Sequence, residues 1–198
     1  MAYKREIELV FDVSSFRKGQ ANSRVDLWYI ATTKNSETPL RTTADREFFL
    51  QLIRDRVRAL PQSRTKISNM LSMVRAAWDM ATTIMDNISL INVTFPTKIN
   101  KTSDTSIEVV SSLLITEVET KVEVILGLTG AVAPDGVHLT IEPSARLVYG
   151  QNFNVGKIRD YLASRINQPP KVQERASSEL WSDVFVALHG RLLTRGRK

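Results

Sequence analysis

Glu6, Glu8 and Asp12 fall at alternate positions of REIELVFDVSSF, residues 5–16, and alternate residues of an extended chain share a face. Three carboxylates on one face could hold a hard cation or divide acid and base work between them. A cation needs further oxygen ligands converging from elsewhere. The neighbours here are Lys4, Arg5 and an alternating apolar set, Ile7, Leu9, Phe11 and Val13. The carboxylates therefore read as the wet face of a strand, or as partners of nearby arginines. Glu117, Glu119 and Glu123 repeat the spacing later in the chain and take the same reading.

Other chemistry lacks its residues. The two histidines, His138 and His189, are far from the short spacing of a helical zinc site. No G-x-S-x-G elbow is present, and the six-residue step from Asp183 to His189 does not place them on one helical face. Gly127, Gly130 and Gly136 mark sheet turns, not a phosphate-cradling loop followed by Lys and Ser or Thr. The absence of cysteine excludes thiolate metal sites, disulfides and cysteine nucleophiles, and fits a reducing compartment such as cytosol or nucleus. No enzyme activity, metal or cofactor is expected.

The elements that would position any site follow from hydrophobic period. An N-terminal hairpin runs from about Tyr3 to Val13 and through SRVDLWYIATT, where Val25, Leu27 and Tyr29 alternate with Asp26, Trp28 and Ile30. Thr43 caps a helix with Asp45 and Glu47 in its first turn and Phe49, Leu52, Ile53, Val57 and Leu60 inward, stopped by Pro61. Ile67, Leu71, Val74, Trp78, Ala81, Met85 and Ile88 step by four and three along a long helix from about Ser63. The seam is short for a coiled coil and suits a helix laid on a sheet. Residues 91–149 change period into about four strands, INVTFPTKI, SIEVVSSLLITEVE, TKVEVILGLTG and VHLTIEPSARLVYG, with breaks at NKTSD, LTG and APDG. Two helices close the chain. One, capped by Asn154, has Ile158, Tyr161, Leu162 and Ile166 inward; the other, from about Ser177, has Leu180, Trp181, Val184, Phe185, Leu188 and Leu192 inward. The class is α+β, antiparallel sheets packed against helices.

Charge is segregated along these elements. The chain of 198 residues carries +6 with a pI of about 9.7. Residues 76–145 hold 3 basic and 9 acidic groups, whereas residues 146–198 hold 10 and 4. A basic face of this kind attracts acidic partners, protein or nucleic acid. No apolar run reaches membrane-span length, and MAYKREIELVF has no run of signal-peptide length, so neither a membrane span nor a cleaved leader is expected.

The opening YKREIELVFDVSSF resembles the start of the C-terminal region of fungal members of the kinetochore-null, or blinkin, scaffold family of the KMN network. From Ser63 to Leu193 the order helix, four strands, helix, helix resembles an RWD domain. The Y-P-x-x-x-P turn of that fold is missing, with Pro143 its nearest remnant. The resemblance implies tandem RWD-like domains, residues 1–62 (strand, strand, helix) and 63–198, in a chain that begins inside a larger protein. It also implies a non-enzymatic module that binds C-terminal tails of MIND complex subunits. Such a module anchors the scaffold at the nuclear kinetochore for chromosome segregation and checkpoint signalling. A Zwint-like coiled-coil partner would bind through the upstream region.

Contact residues are then chosen on physical grounds. Trp28, Tyr149 and Phe153 are the candidate apolar anchors, and Arg159, Arg165, Arg191 and Arg195 the candidates for acidic groups of a partner peptide. The rival class is a basic nucleic-acid-binding domain.

Overall fold

The computed structural model describes residues 2–3, 6–11, 25–30, 43–60, 67–150, 153–166 and 180–196; Asp12 and Val13 lie outside them. The elements are β1 (Ala2–Tyr3), β2 (Ile7–Phe11), β3 (Val25–Tyr29), α1 (Ala44–Ala59), α2 (Ile67–Thr94), β4 (Thr97–Ser103), β5 (Ser106–Ile115), a 3-10 turn (Thr116–Val118), β6 (Thr120–Ala133), β7 (Gly136–Tyr149), α3 (Val155–Ile166) and α4 (Trp181–Gly196). Two antiparallel sheets, ordered β1-β2-β3 and β4-β5-β6-β7, pack with helices in the expected α+β class. Two compact units divide the chain. Unit 1 holds 1–83 and 130–139, and unit 2 holds 84–129 and 140–198.

In unit 1, Leu9 faces Leu27 and Glu8 faces Trp28 across β2 and β3. Alternation buries Ile7, Leu9 and Leu27 and leaves Val10 and Trp28 outside. Glu6 departs from the sequence reading. It sits in the turn before β2, and its carboxylate accepts the Trp78 indole N–H at 2.9 Å. A fully buried tryptophan needs such an acceptor. The Tyr3 hydroxyl reaches Asp79 at 3.0 Å, with Arg75 5.5 Å over the Tyr3 ring.

Leu60 adopts φ −71° and ψ 134° at the end of α1, the extended conformation forced on a residue before proline. Phe49, Leu52, Ile53 and Val57 are buried as the period predicts, and Phe48 and Leu50 join them, while Leu60 is half-buried. Arg56, buried in the last turn, donates to the Pro134 carbonyl at the β6–β7 turn. Gly130 is required in that region. A Cβ there would stand 2.2 Å from a Leu52 methyl group.

The long helix outruns its predicted end. Residues 91–94, expected to start a strand, complete α2, because the seam continues from Ile88 to Ile91 and on to Phe95, all buried. Pro96 supplies no N–H, and β4 begins one residue later.

In unit 2, Ile107, Val109, Leu113 and Ile115 of β5, and Val122, Val124, Leu126 and Leu128 of β6, form the buried side of the sheet. Glu117 and Glu119 are not on a strand: they lie in and after the 3-10 turn, Glu119 at φ 46°. LTG does not break β6, which runs unbroken through Gly130. On α4, the Trp181 backbone N–H donates to Asn87 Oδ1 at 3.1 Å, and the Phe185 ring packs tilted against Phe95 with centroids 6.2 Å apart. Leu180, expected inward, precedes the helix and is exposed.

Gly150 at φ +101° is the tightest backbone position. A Cβ there would lie 2.5 Å from Thr120 Cα and 2.7 Å from the Glu119 carbonyl oxygen. Backbone atoms cannot swing aside as a side chain can, and the positive φ adds strain. Thermal or urea unfolding should show Gly150→Ala destabilised by about 2–4 kcal/mol, more than Gly130→Ala at about 1–3 kcal/mol, where leucine rotamers share the adjustment.

Candidate functional site

The predicted contact residues divide between the units. Trp28, 53 % exposed on the outer face of β3, belongs to unit 1, and the other six belong to unit 2. Tyr149, at the end of β7, is 49 % exposed; Phe153 is half-buried before α3. Arg159 and Arg165 are exposed on α3, as is Arg191 on α4. Arg195 lies in the last turn of α4, and its side chain is outside the described residues.

The arginines are not one cluster. Arg191 stacks over the Tyr161 ring at 4.3 Å, which joins α3 to α4 and explains why Tyr161 is half-buried where the helical period places it inward. Arg159 pairs with its neighbour Asp160 at 3.3 Å on open surface. It also lines a groove of about 500 Å³ with Ala163, Glu108, Ile125, Ile141 and Pro143. The groove floor is strand surface, so hydrophobic period alone hides it: Glu108, Ile125 and Ile141 look like ordinary alternating positions.

Pro143 lies within β7, not in a turn as its likeness to an RWD turn suggests. Glu123 meets Arg146 across β6 and β7, and a Cβ on Gly127 would lie 3.5 Å from the Glu142 carbonyl oxygen. Counting from these neighbours sets Pro143 opposite Leu126. Leu126 pairs with Val109 of β5 and spends its N–H and C=O there, so the Pro143 nitrogen points to the free edge, where no donor is required.

The strongest electrostatic feature is also on this sheet. Arg146 donates to Glu123 Oε2 from Nε at 2.7 Å, with Nη2 at 2.6 Å, and Lys121 stands 3.5 Å from the other oxygen. The Arg146 hydrogen bond holds the Glu123 carboxyl below its usual range against the opposing effect of burial. His138 and Asp135 form a 2.8 Å pair at the exposed β6–β7 turn. His189 Nε2 lies 3.0 Å from the Leu114 carbonyl and must donate to it, so that nitrogen carries the proton. Among the described residues no three acidic or histidine side chains converge as metal ligands, and no helix is long and apolar enough to cross a membrane.

A carboxyl with a lowered folded pKa contributes stability that is full above its unfolded value and fades as pH falls through the folded one. Arg146→Ala should therefore cost about 0.5–1 kcal/mol at pH 7. Urea unfolding across pH should show that difference intact above Glu123's ordinary value of 4.5 and vanishing on further acidification.

Residues 1–85 match the family model described as the Knl1 RWD C-terminal domain. No curated protein sequence and no solved structure matches the chain. The match spans β1 to β3, α1 and the first part of α2, which is the hairpin and helix set carrying the opening motif. Residues 1–85 are thus similar to the Knl1 RWD C-terminal domain family, a kinetochore scaffold family that works through protein partners.

Proposed function

We propose that this chain is the docking module by which a kinetochore scaffold binds the C-terminal tails of MIND complex subunits at the nuclear kinetochore, in support of chromosome segregation and checkpoint signalling. The family match over residues 1–85 carries the reading. A second support is physical. Unit 2 offers an open groove beside α3, with Arg159 at its rim and Tyr149 exposed on the same unit. A peptide tail needs that combination of concave surface, aromatic anchor and cation.

The tandem arrangement, residues 1–62 as a first RWD-like domain and 63–198 as a second, belongs to the proposal. Its support in the second part is the order α2, β4 to β7, α3, α4. A Zwint-like partner is assigned to the region upstream in the scaffold.

The test is fluorescence-anisotropy titration of the 198-residue chain with MIND-subunit tail peptides. Saturable binding below about 100 μM is expected, and its absence there removes the reading. Arg159→Glu should weaken that binding about fivefold without moving the unfolding midpoint, because the Arg159–Asp160 pair is exposed and contributes little to stability.

The exposed Arg159, Arg165 and Arg191 also favour a second reading, nucleic-acid binding. That reading requires affinity for a duplex or single strand that falls steeply with salt, several counterions being released per site. A flat response between 50 and 200 mM salt, about the range over which such sites lose most of their affinity, excludes it.

A further inference from the structure

The strand edges of the two sheets differ in what they leave unsatisfied. β1 is two residues long, too short to template a partner strand. At β3, the hydrogen bond from Ile30 N–H to the Glu6 carbonyl makes Glu6–Ile30, Glu8–Trp28 and Val10–Asp26 the bonded pairs, so Leu27 turns its polar groups to the free edge. Arg54 of α1 already occupies the Leu27 carbonyl at 2.8 Å. β7 has lost a donor at Pro143, with Arg159 and Ala163 beside it.

β4 is different. The Ser112 N–H donates to the Pro96 carbonyl at 3.0 Å, so the bonded pairs with β5 are Pro96–Ser112, Lys98–Val110 and Asn100–Glu108. Thr97, Ile99 and Lys101 therefore turn N–H and C=O outward. Asn92 Oδ1 takes the Thr97 N–H at 3.1 Å. The Thr97 carbonyl, both groups of Ile99 and the Lys101 N–H have no partner among the described residues. Among the described residues, no proline lies within this edge strand, and no side chain beyond Asn92 bonds its outward groups.

We propose that the β4 edge takes an acidic, extended partner segment as a fifth strand of the unit 2 sheet. This rests on the docking reading and adds to the groove beside α3 a second contact for the same partner, on the opposite edge of the unit 2 sheet. Residues 76–145 contain three basic groups, all lysines, and two of them, Lys98 and Lys101, are on β4. Lys98 has no ion-pair partner among the described residues. Among the described residues Lys101 bonds Asp104 alone, a pair 60 % and 87 % exposed that a partner carboxylate can replace. A second copy of the chain pairing antiparallel about Ile99 would gather four lysines on one ribbon. Charge thus opposes self-pairing and selects an acidic strand, with an apolar side chain opposite Ile99 and a carboxylate opposite Lys98.

Amide hydrogen exchange on the 198-residue chain tests this, the probe being a capped peptide of about seven residues alternating Glu with Val, enough to span β4. Ile99 and Lys101 amides should slow about tenfold or more, while Lys98 and Asn100, already bonded to β5, stay unchanged. A Lys–Val peptide should give no such pattern. Ile99→Pro, which removes an outward donor and leaves the β4–β5 bonds intact, should abolish binding, and Lys98→Glu should weaken it about fivefold. Should Ile99→Pro fail to fold, the alternating pattern in the unmodified chain decides. Uniform slowing, slowing elsewhere, or an equal response to the Lys–Val peptide overturns the proposal. MIND tails that bind while Ile99 still exchanges fast also overturn it, and leave the docking reading standing. Tails that fail to bind while the Glu–Val peptide protects Ile99 remove the docking reading and leave the β4 edge supported.

Discussion

The apolar seam of α2 is the constraint on which both units depend. The 28-residue helix contains no glycine or proline, so nothing within it relieves the requirement to bury one continuous stripe. Unit 1 takes Met70, Val74, Ala77, Trp78 and Ala81 from it; unit 2 takes Ile84, Met85, Ile88 and Ile91. A buried stripe fixes rotation about the helix axis but not position along neighbouring strands. Polar side chains on α2 supply that. Asp79 accepts the Tyr3 hydroxyl, Asn87 the Trp181 N–H and Asn92 the Thr97 N–H. Each anchors the start of an element or a short edge strand that has few contacts of its own, and the first two also satisfy part-buried donors.

The seam was plain in the sequence because every one of its steps is three or four residues. Its end was not. Ile91, Val93 and Thr94 are β-branched and pointed to a strand by propensity, yet Ile91 lies on the buried stripe and packing overrode the weaker local preference. The same competition explains the carboxylates. Glu6 and Glu8 are two residues apart, but one accepts an indole N–H and the other stands on the sheet. Spacing alone carries no information about a tryptophan 72 residues away. Glu117 and Glu119 left the strand because a connection was needed before β6, and Glu119 adopted the left-handed conformation that closes it.

The candidate site was legible only by residue type. Arginine enrichment after residue 145 marked the region, and three of its four chosen arginines are exposed there. Their separation was invisible, since whether Arg191 meets a carboxylate or the Tyr161 ring depends on how α3 meets α4. Pro143 shows the same limit. In the sequence it suggests a turn; within β7 it is tolerated because its nitrogen faces away from β6. Hydrogen-bonding parity is a property of strand pairing, and no single strand's sequence encodes it.

That parity gives the lysines of β4 two effects at once. An open strand edge recruits any unpaired strand, its own copy included, so it is stable as a monomer only when like-with-like pairing is penalised. Negative charges would serve that purpose equally well and are more abundant in this stretch, nine against three. Lysine instead makes the penalty selective: it falls on basic and identical strands and becomes an attraction for acidic ones. Among the described residues, the edge that carries neither a proline nor an arginine contact is then the one whose charge already discriminates among partners, whereas Arg54 occupies one outward carbonyl of β3 and Pro143 removes one outward donor from β7.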